Sequence, residues 1–339
     1  MESLYFVRKG TLEWREVADP VIESAGDAIV RPLAVARCDL DPYILRGETL
    51  FRGPFPFGHE FVGEVTEVGD GVKSFAPGDL VVIPFQVSCG SCGHCHDGLT
   101  NSCSTAGDFA HFGLGPEARK FGGAFSDFVK VPWAEHMLMK IPDGVDPVDI
   151  ASISDNMTDA YRTVAPYLEP NSDKTVLILG GSAPSIGLYA VAFANLLGAR
   201  KITYIDNDQG RLKLAASFGA EVQEMDTPPK RMERHHITVD ATSTEAGLHC
   251  ALRSTAPGGD ATTVGIFFNN KLPIPYMEMY NSGVHFHVGR CRAREDVPPI
   301  LELIRTGRFD PRPVTTRVVP REAAIAALPE TSTKLIVKM

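Results

Sequence analysis

The sequence predicts an α/β protein of two parts, one rich in short β-strands and one built on a doubly wound parallel sheet. Three observations carry this prediction. The first third of the chain reads as short strands punctuated by Gly and Pro. From about residue 150, apolar β-branched runs alternate with helical stretches. The chain has 339 residues, long for one domain and comfortable for two.

In the first third, Phe61 to Val68 alternates apolar and polar residues, and Gly69-Asp70-Gly71 makes a turn. Pro77-Gly78 leads into a strand over Leu80 to Phe85. Ile150 to Leu168 reads as helix, ended by Glu169 to Ser172. Thr175 to Leu179 is an apolar strand, followed by a Gly-rich turn and a helical stretch over Ile186 to Leu197. Lys201 to Asp206 is the next strand, and Gln209 to Phe218 the next helix. Further strands are expected at Glu221 to Met225, Ile237 to Ala241, Thr262 to Phe268 and Val284 to Val288. Such runs separated by helices mark a parallel sheet covered on both faces. The basic stretch Lys230 to His236 reads as a solvated loop or helix face. A helix over Pro299 to Thr306 and a last strand over Lys334 to Lys338 form a tail that can return to the first part.

Composition sets outer bounds. Apolar residues at 44% and charged residues at 22% are ordinary for a globular protein. No apolar run approaches a membrane span, and Met1-Glu2-Ser3-Leu4 lacks the basic-then-apolar pattern of a secretory signal, so a cytoplasmic protein is expected. A net charge of −9 argues against nucleic acid as a partner. Of the seven cysteines, four crowd between Cys89 and Cys103, while Cys38, Cys250 and Cys291 stand apart. This odd, clustered set fits metal-binding thiolates in a reducing compartment better than a disulfide framework. Cys250 and Cys291 read as small apolar residues.

Cys89-x2-Cys92-x2-Cys95-x7-Cys103 is the strongest local signal. Tetrahedral zinc takes four thiolates, and two-residue gaps let one loop wrap an ion. Gly90, Gly93 and Gly98 permit the tight backbone. Four protein ligands close the coordination sphere, so this zinc would be structural. The alternative is a set of free or disulfide-bonded thiols.

A second constellation lies upstream, in Cys38 and the segment Phe57-Gly58-His59-Glu60-Phe61-Val62-Gly63. An open zinc site needs three protein ligands and a free position. Cys38 and His59 supply a thiolate and an imidazole, and Asp155 is a candidate third ligand. Glu60 is placed to orient His59 or to approach the metal.

The turn Gly180-Gly181-Ser182-Ala183-Pro184-Ser185-Ile186-Gly187 joins a strand to a helix. It departs from a strict G-x-G-x-x-G, with Ser182 where a second Gly would admit a pyrophosphate. Small residues still line it, and the helix N-terminus can receive phosphate. Asp206 ends the next strand, 19 residues after Gly187. An acidic group there accepts ribose hydroxyls and repels a 2′-phosphate, and Asn207 follows it rather than Arg. NAD is therefore expected over NADP, with Asn207 and Arg211 also counted among the cofactor contacts. The alternative role of Asp206 is to cap the helix near Gln209.

Taken together, these residues resemble the zinc-containing medium-chain dehydrogenase/reductase family, the alcohol dehydrogenases. Gly58-His59-Glu60-x2-Gly63-x5-Gly69-x2-Val72 is similar to its zinc signature, and the cysteine lobe, Asp206 and Gly122-Gly123-Ala124-Phe125 occur in family order. The resemblance implies a GroES-like catalytic domain over 1–155 with a structural zinc lobe at 86–105. It implies a Rossmann domain over 156–294 and a return segment over 295–339. It implies two zincs per chain, with Cys38, His59 and Asp155 holding a catalytic zinc at the domain cleft and Glu60 adjacent. The implied chemistry is hydride transfer between a secondary alcohol or polyol and a nicotinamide, with zinc as Lewis acid. The family also implies a homodimer or homotetramer, for which Val284 to Val288 is a plausible edge.

One departure stands out. Many family members carry Ser or Thr two residues after the zinc-binding Cys, as a proton relay, and here that residue is Leu40. Leucine cannot relay a proton. Asp39, Asp41 and Tyr43 are candidate substitutes, Tyr43 standing where the family often has a relay histidine. Phe85, Phe109 and Met157 are expected to line the pocket, or else to pack in the core. Leu40 keeps two other readings open: the same fold with different chemistry, as an aldehyde dismutase or biosynthetic reductase, or a zinc- and nucleotide-binding protein without catalysis. Turnover of any alcohol with NAD excludes the last, and cofactor retained through gel filtration favours the dismutase.

Overall fold

The computed structural model describes every residue except 169–172 and 270. The described residues divide into two compact units, Met1–Thr158 with Cys291–Met339, and Asp159–Arg290.

The first unit opens with a hairpin, β1 (Glu2–Arg8) and β2 (Thr11–Glu16), then β3 (Ala28–Ala36) and a short helix α1 (Asp41–Leu45). Next come β4 (Phe55–Pro56), β5 (Glu60–Val68), β6 (Leu80–Ile83), β7 (Val129–Val131) and β8 (Met139–Lys140). β2, β1 and β4 form a three-stranded sheet. The expected strand at Phe61 to Val68 starts one residue early, at Glu60. The one at Leu80 to Phe85 stops at Ile83, because Pro84 has no N–H to continue the ladder. Phe57 and Phe61 flank His59 and are fully buried. Phe57 stacks on Phe125 at 6.1 Å, and Phe61 meets Phe112 edge-on at 5.7 Å. These contacts hold the backbone on both sides of the histidine.

The single helix expected over Ile150 to Leu168 is broken. α2 (Pro147–Ile150) runs into a 3-10 turn at Ala151–Ser154, and α3 (Asn156–Val164) begins after Asp155. Asp155 lies outside helical geometry, at φ −150° and ψ −82°. Its neighbours bond to β5 instead of to a helix: Ser154 Oγ accepts from Phe61 N at 2.8 Å, and Asn156 N donates to Glu60 Oε1 at 3.2 Å. Such bonds compete with the i→i−4 ladder. The expected terminator, Glu169 to Ser172, lies outside the described residues.

In the second unit, β9 (Thr175–Leu179), α4 (Pro184–Leu196), β10 (Lys201–Asp206), α5 (Gln209–Ser217) and β11 (Glu221–Glu224) follow the expected order. β12 (His235–Asp240), α6 (Glu245–Ser254), β13 (Thr255–Thr263), α7 (Tyr276–Ser282) and β14 (His285–His287) complete it. The sheet order β11-β10-β9-β12-β13-β14 is all parallel, with its switch point between β9 and β12. Asp208 caps α5 by accepting from Arg211 N, and Thr244 caps α6 by accepting from Gly247 N.

Two expectations fail in this unit. The strand expected at Thr262 to Phe268 lies at Thr255–Thr263, and Pro257-Gly258-Gly259 forms an irregularity within it. It ends where Thr263 Oγ1 donates to Asp240 Oδ2 and accepts from Gly265 N. The Lys230 to His236 stretch is not wholly solvated: His235 is buried at the start of β12, and His236 Nδ1 accepts from Thr175 N.

The chain then returns to the first unit with α8 (Ala293–Arg305), β15 (Arg317–Pro320) and β16 (Leu335–Lys338). α8 starts well before the expected Pro299. Pro298 and Pro299 lie inside it, and burial of Ala293, Val297, Ile300 and Leu301 on one face offsets the lost backbone bonds. β16 pairs with β3 and closes the seven-stranded sheet, in the order β15-β16-β3-β5-β6-β8 with β7 also on β3.

Candidate functional site

The loop after β6 carries the cysteine lobe. The sulfurs of Cys89, Cys92, Cys95 and Cys103 lie within 4.8 Å of one another, with Cys92 to Cys95 at 3.5 Å and Cys92 to Cys103 at 3.8 Å. These separations far exceed the ~2.05 Å of a disulfide, and the thiols are unbridged. Backbone amides point at the sulfurs: Ser91 N at Cys89, and Cys89 N and Ala106 N at Cys103. Gly90 reaches the left-handed φ of +75° that the wrap needs. The Ser104 hydroxyl and the Cys95 amide pull the Cys92 thiol down to about 5, whereas burial pushes Cys95 up to about 12. Four soft donors facing one point suit a closed tetrahedral zinc, which would ionise them all.

The second cluster joins three distant segments. Cys38 follows β3, His59 precedes β5, and Asp155 stands at the break before α3. Their ligand atoms lie within 4.8 Å of one another and all three residues are buried. His59 Nε2 is 3.2 Å from Asp155 Oδ2. Leu40 N donates to Cys38 Sγ at 3.4 Å. Burial pushes the Cys38 thiol well above its ordinary value. It also pushes His59 down and Asp155 up, but their mutual attraction, with Asp41 added for His59, outweighs this and reverses both directions. A thiol, an imidazole and a carboxylate converging in a buried place fit a divalent cation with tetrahedral preference, which would offset the desolvation of all three.

The group behind His59 is Asp41, not Glu60. Asp41 is fully buried and lies with Oδ1 3.8 Å from His59 Nδ1. Among the described residues neither atom has a hydrogen-bond partner, while Asp41 Oδ2 accepts from Cys38 N at 2.9 Å. Asp41 is thereby fixed between two prospective ligands. Glu60 is engaged elsewhere: it accepts from Lys334 Nζ at 3.0 Å, Ser152 Oγ at 2.5 Å and Asn156 N. The Glu60–Lys334 pair is completely buried, and Lys334 also donates to Arg37 O. Tyr43 carries the Arg46 guanidinium over its ring at 4.6 Å.

Of the expected pocket residues, Met157 is fully buried and the Phe85 ring lies 5.4 Å from that of His59. Phe109 is 61% exposed, on a left-handed backbone at φ +56°, which a loop tip tolerates and a pocket wall does not need. Cys291 is not merely a small apolar residue. It is buried beside Asp155, with Sγ 3.6 Å from Oδ1. Lys334 and Cys291 were invisible in the sequence as site neighbours, since neither belongs to a local motif.

In the second unit, Gly180 and Gly181 leave β9 at the switch point. A side chain at Gly180 would lie 2.4 Å from both Asp206 Oδ2 and the Tyr204 hydroxyl, so only glycine fits. Ser182 Oγ donates to Thr242 O at 2.5 Å, and Ser185, Ile186 and Gly187 form the buried first turn of α4. Asp206 is buried at the end of β10, held by Tyr204, Asn207 and Arg211. Burial pushes its carboxyl up, but Arg211 and Tyr204 hold it below the usual range. Asp206 does not cap α5; Asp208 does. A glycine turn, a helix N-terminus and an acidic strand end fit a dinucleotide.

Comparison with known proteins agrees with this layout. Residues 24–143 match the alcohol dehydrogenase GroES-like domain, and residues 185–306 match the zinc-binding dehydrogenase domain. The chain is 29% identical to a zinc-type alcohol dehydrogenase B of Aspergillus flavus over 323 residues, covering 90% of this chain and 73% of that one. It is 27% identical to an alcohol dehydrogenase of Geobacillus stearothermophilus, covering 89% and 88%. Among solved structures, the alcohol dehydrogenase TADH from Thermus sp. ATN1 superposes with a TM-score of 0.88 at 28% identity, over 100% of this chain and 99% of that one. No helix among the described residues is long and apolar enough to cross a membrane.

Proposed function

This chain belongs to the zinc-dependent medium-chain alcohol dehydrogenase family, and from that premise we propose that it interconverts a secondary alcohol or polyol and its carbonyl product with NAD(H). The observation that carries the reading is the buried meeting of Cys38, His59 and Asp155 with Asp41 behind the histidine.

In this reading Cys38, His59 and Asp155 hold a catalytic zinc, and Cys89, Cys92, Cys95 and Cys103 hold a structural one. When bound, the catalytic zinc supplies Lewis acidity toward the alcohol oxygen, and the nicotinamide accepts hydride. Asp41 favours the tautomer with the proton on His59 Nδ1, which leaves the Nε2 lone pair facing Asp155. Lys334 keeps Glu60 in place beside the ligand set without Glu60 becoming a ligand. Leu40 offers no hydroxyl, so the alcohol proton leaves by another route. Gly180, Gly181, Ser182, Ser185, Ile186 and Gly187 receive the pyrophosphate. Asp206, with Asn207 and Arg211 beside it, takes the adenosine ribose and favours NAD over NADP. A homodimer or homotetramer in the cytoplasm completes the proposal.

Elemental analysis tests it first. Two zincs per chain in the wild type and one in Cys38→Ser support separate catalytic and structural sites. One zinc, unchanged by the substitution, overturns the catalytic assignment. An alcohol panel with NAD and NADP then tests the activity.

A further inference from the structure

We infer that Cys291 is a positioning residue for the catalytic metal, holding the Asp155 carboxylate in its ligating orientation. The inference rests on the reading of Cys38, His59 and Asp155 as the metal set. Asp155 divides its two oxygens. Oδ2 lies 3.2 Å from His59 Nε2, within the ligand cluster, while Oδ1 receives the Cys291 thiol at 3.6 Å. A ligating carboxylate with one oxygen tethered outside the coordination sphere keeps the other aimed at the ion.

The thiol is itself held. Gln86, 2% exposed, grips its backbone at two points: Nε2 donates to Cys291 O at 2.9 Å, and Oε1 accepts from Ala293 N at 3.3 Å. Asn101 Nδ2 donates to the same Cys291 carbonyl at 3.2 Å, and Thr100 Oγ1 donates to Glu295 Oε2 at 2.7 Å. Gln86, Thr100 and Asn101 all belong to the loop that carries the four-cysteine cluster. The structural lobe therefore fixes the segment that fixes Asp155, and the ordering of one metal site is passed to the other through Cys291. Phe85 and Ala293 pack around the thiol and keep it from water.

The test uses the fully metallated protein carrying Cys291→Val, which fills the volume without a donor, and Cys291→Ser, which restores one. Zinc affinity of the Cys38 site is read by chelator competition. The same variants with cobalt(II) in that site report ligand geometry by visible absorption. Cys291→Val is expected to weaken zinc at this site by about tenfold or more and to shift the ligand-field bands, with Cys291→Ser restoring most of both. Affinity within about twofold of wild type and unchanged bands in Cys291→Val would overturn the inference. Loss of thiolate-to-cobalt charge-transfer intensity in Cys291→Val would overturn it differently, by making Cys291 a ligand. Failure of the underlying reading is distinguishable, because Cys38→Ser would then leave the zinc content of the wild type unchanged.

Discussion

Arg211 grips Asp206 with two hydrogen bonds, from Nε to Oδ2 at 2.8 Å and from Nη2 to Oδ1 at 2.6 Å. The Tyr204 hydroxyl and the Asn207 and Asp208 amides add three more donors. A carboxylate offers about four acceptor sites, so this one is saturated. A ribose can bond to it only if the guanidinium yields. Asp206→Ala should therefore lower kcat/KM with NAD by about tenfold, or ~1.4 kcal/mol, and lower it less with NADP. Steady-state kinetics with both cofactors check this, and an unchanged NAD/NADP ratio would remove Asp206 as the discriminating group.

The Lys334–Glu60 pair predicts a pH-dependent cost. Breaking a fully buried pair by Lys334→Met should destabilise the protein by about 3–5 kcal/mol, because Glu60 is left buried and uncompensated. Burial raises Glu60 from 4.5 to about 7, and Lys334 opposes that rise. A carboxyl whose folded value is raised binds its proton more tightly in the folded state, so stability falls as pH rises through this window. Without Lys334 the window widens upward. Urea unfolding should show a larger deficit for Lys334→Met at pH 8 than at pH 5, and an equal deficit at both would refute a charged Glu60.

Leu40 predicts a gain of function. A hydroxyl at this position would stand two residues from Cys38, where it can take the alcohol proton, and positioned acid–base groups contribute roughly 10²-fold or more. Leu40→Ser should raise kcat for alcohol oxidation by about tenfold at neutral pH, if proton departure limits the native enzyme. Stopped-flow measurement of cofactor reduction gives the answer, and a slower or equal rate means that the proton already has an efficient exit.

The cysteine lobe predicts proton release on metal uptake. Cys95 sits at about 12 without metal, so at neutral pH it holds a proton that zinc must displace. Apparent zinc affinity should fall as pH is lowered, and calorimetry in buffers of different ionisation enthalpy should detect released protons. Affinity independent of pH would mean that the thiols are already ionised. Cys95→Ser should in turn lose one zinc per chain and lower the melting temperature.

Legibility followed locality. The cysteine lobe spans a single loop, so its spacing declared it. Gly58-His59-Glu60 and the turn at Gly180 are likewise contiguous, and β9, α4, β10 and α5 follow from apolar runs of the right length. Asp155 could be named from the sequence only as a candidate, because its geometry comes from a helix broken by side-chain bonds to β5. Lys334 and Cys291 were out of reach altogether. Their partners lie 274 and 136 positions away, and no periodicity encodes a pairing at that distance. Adjacency in sequence pointed to Glu60 as the carboxylate behind His59, while in the fold it is Asp41 whose Oδ1 lies 3.8 Å from His59 Nδ1.

The distance between Glu60 and Lys334 also constrains how the molecule is made. β16 can join β3 only after the whole of Asp159–Arg290 has been synthesised. Until then the Ala34 to Ala36 end of β3 lacks its partner strand, and Glu60 has no Lys334 beside it. The N-terminal unit is therefore complete only once the inserted unit has been synthesised, although its own first residues emerge from the ribosome first. During that interval the nascent strand is exposed to mispairing.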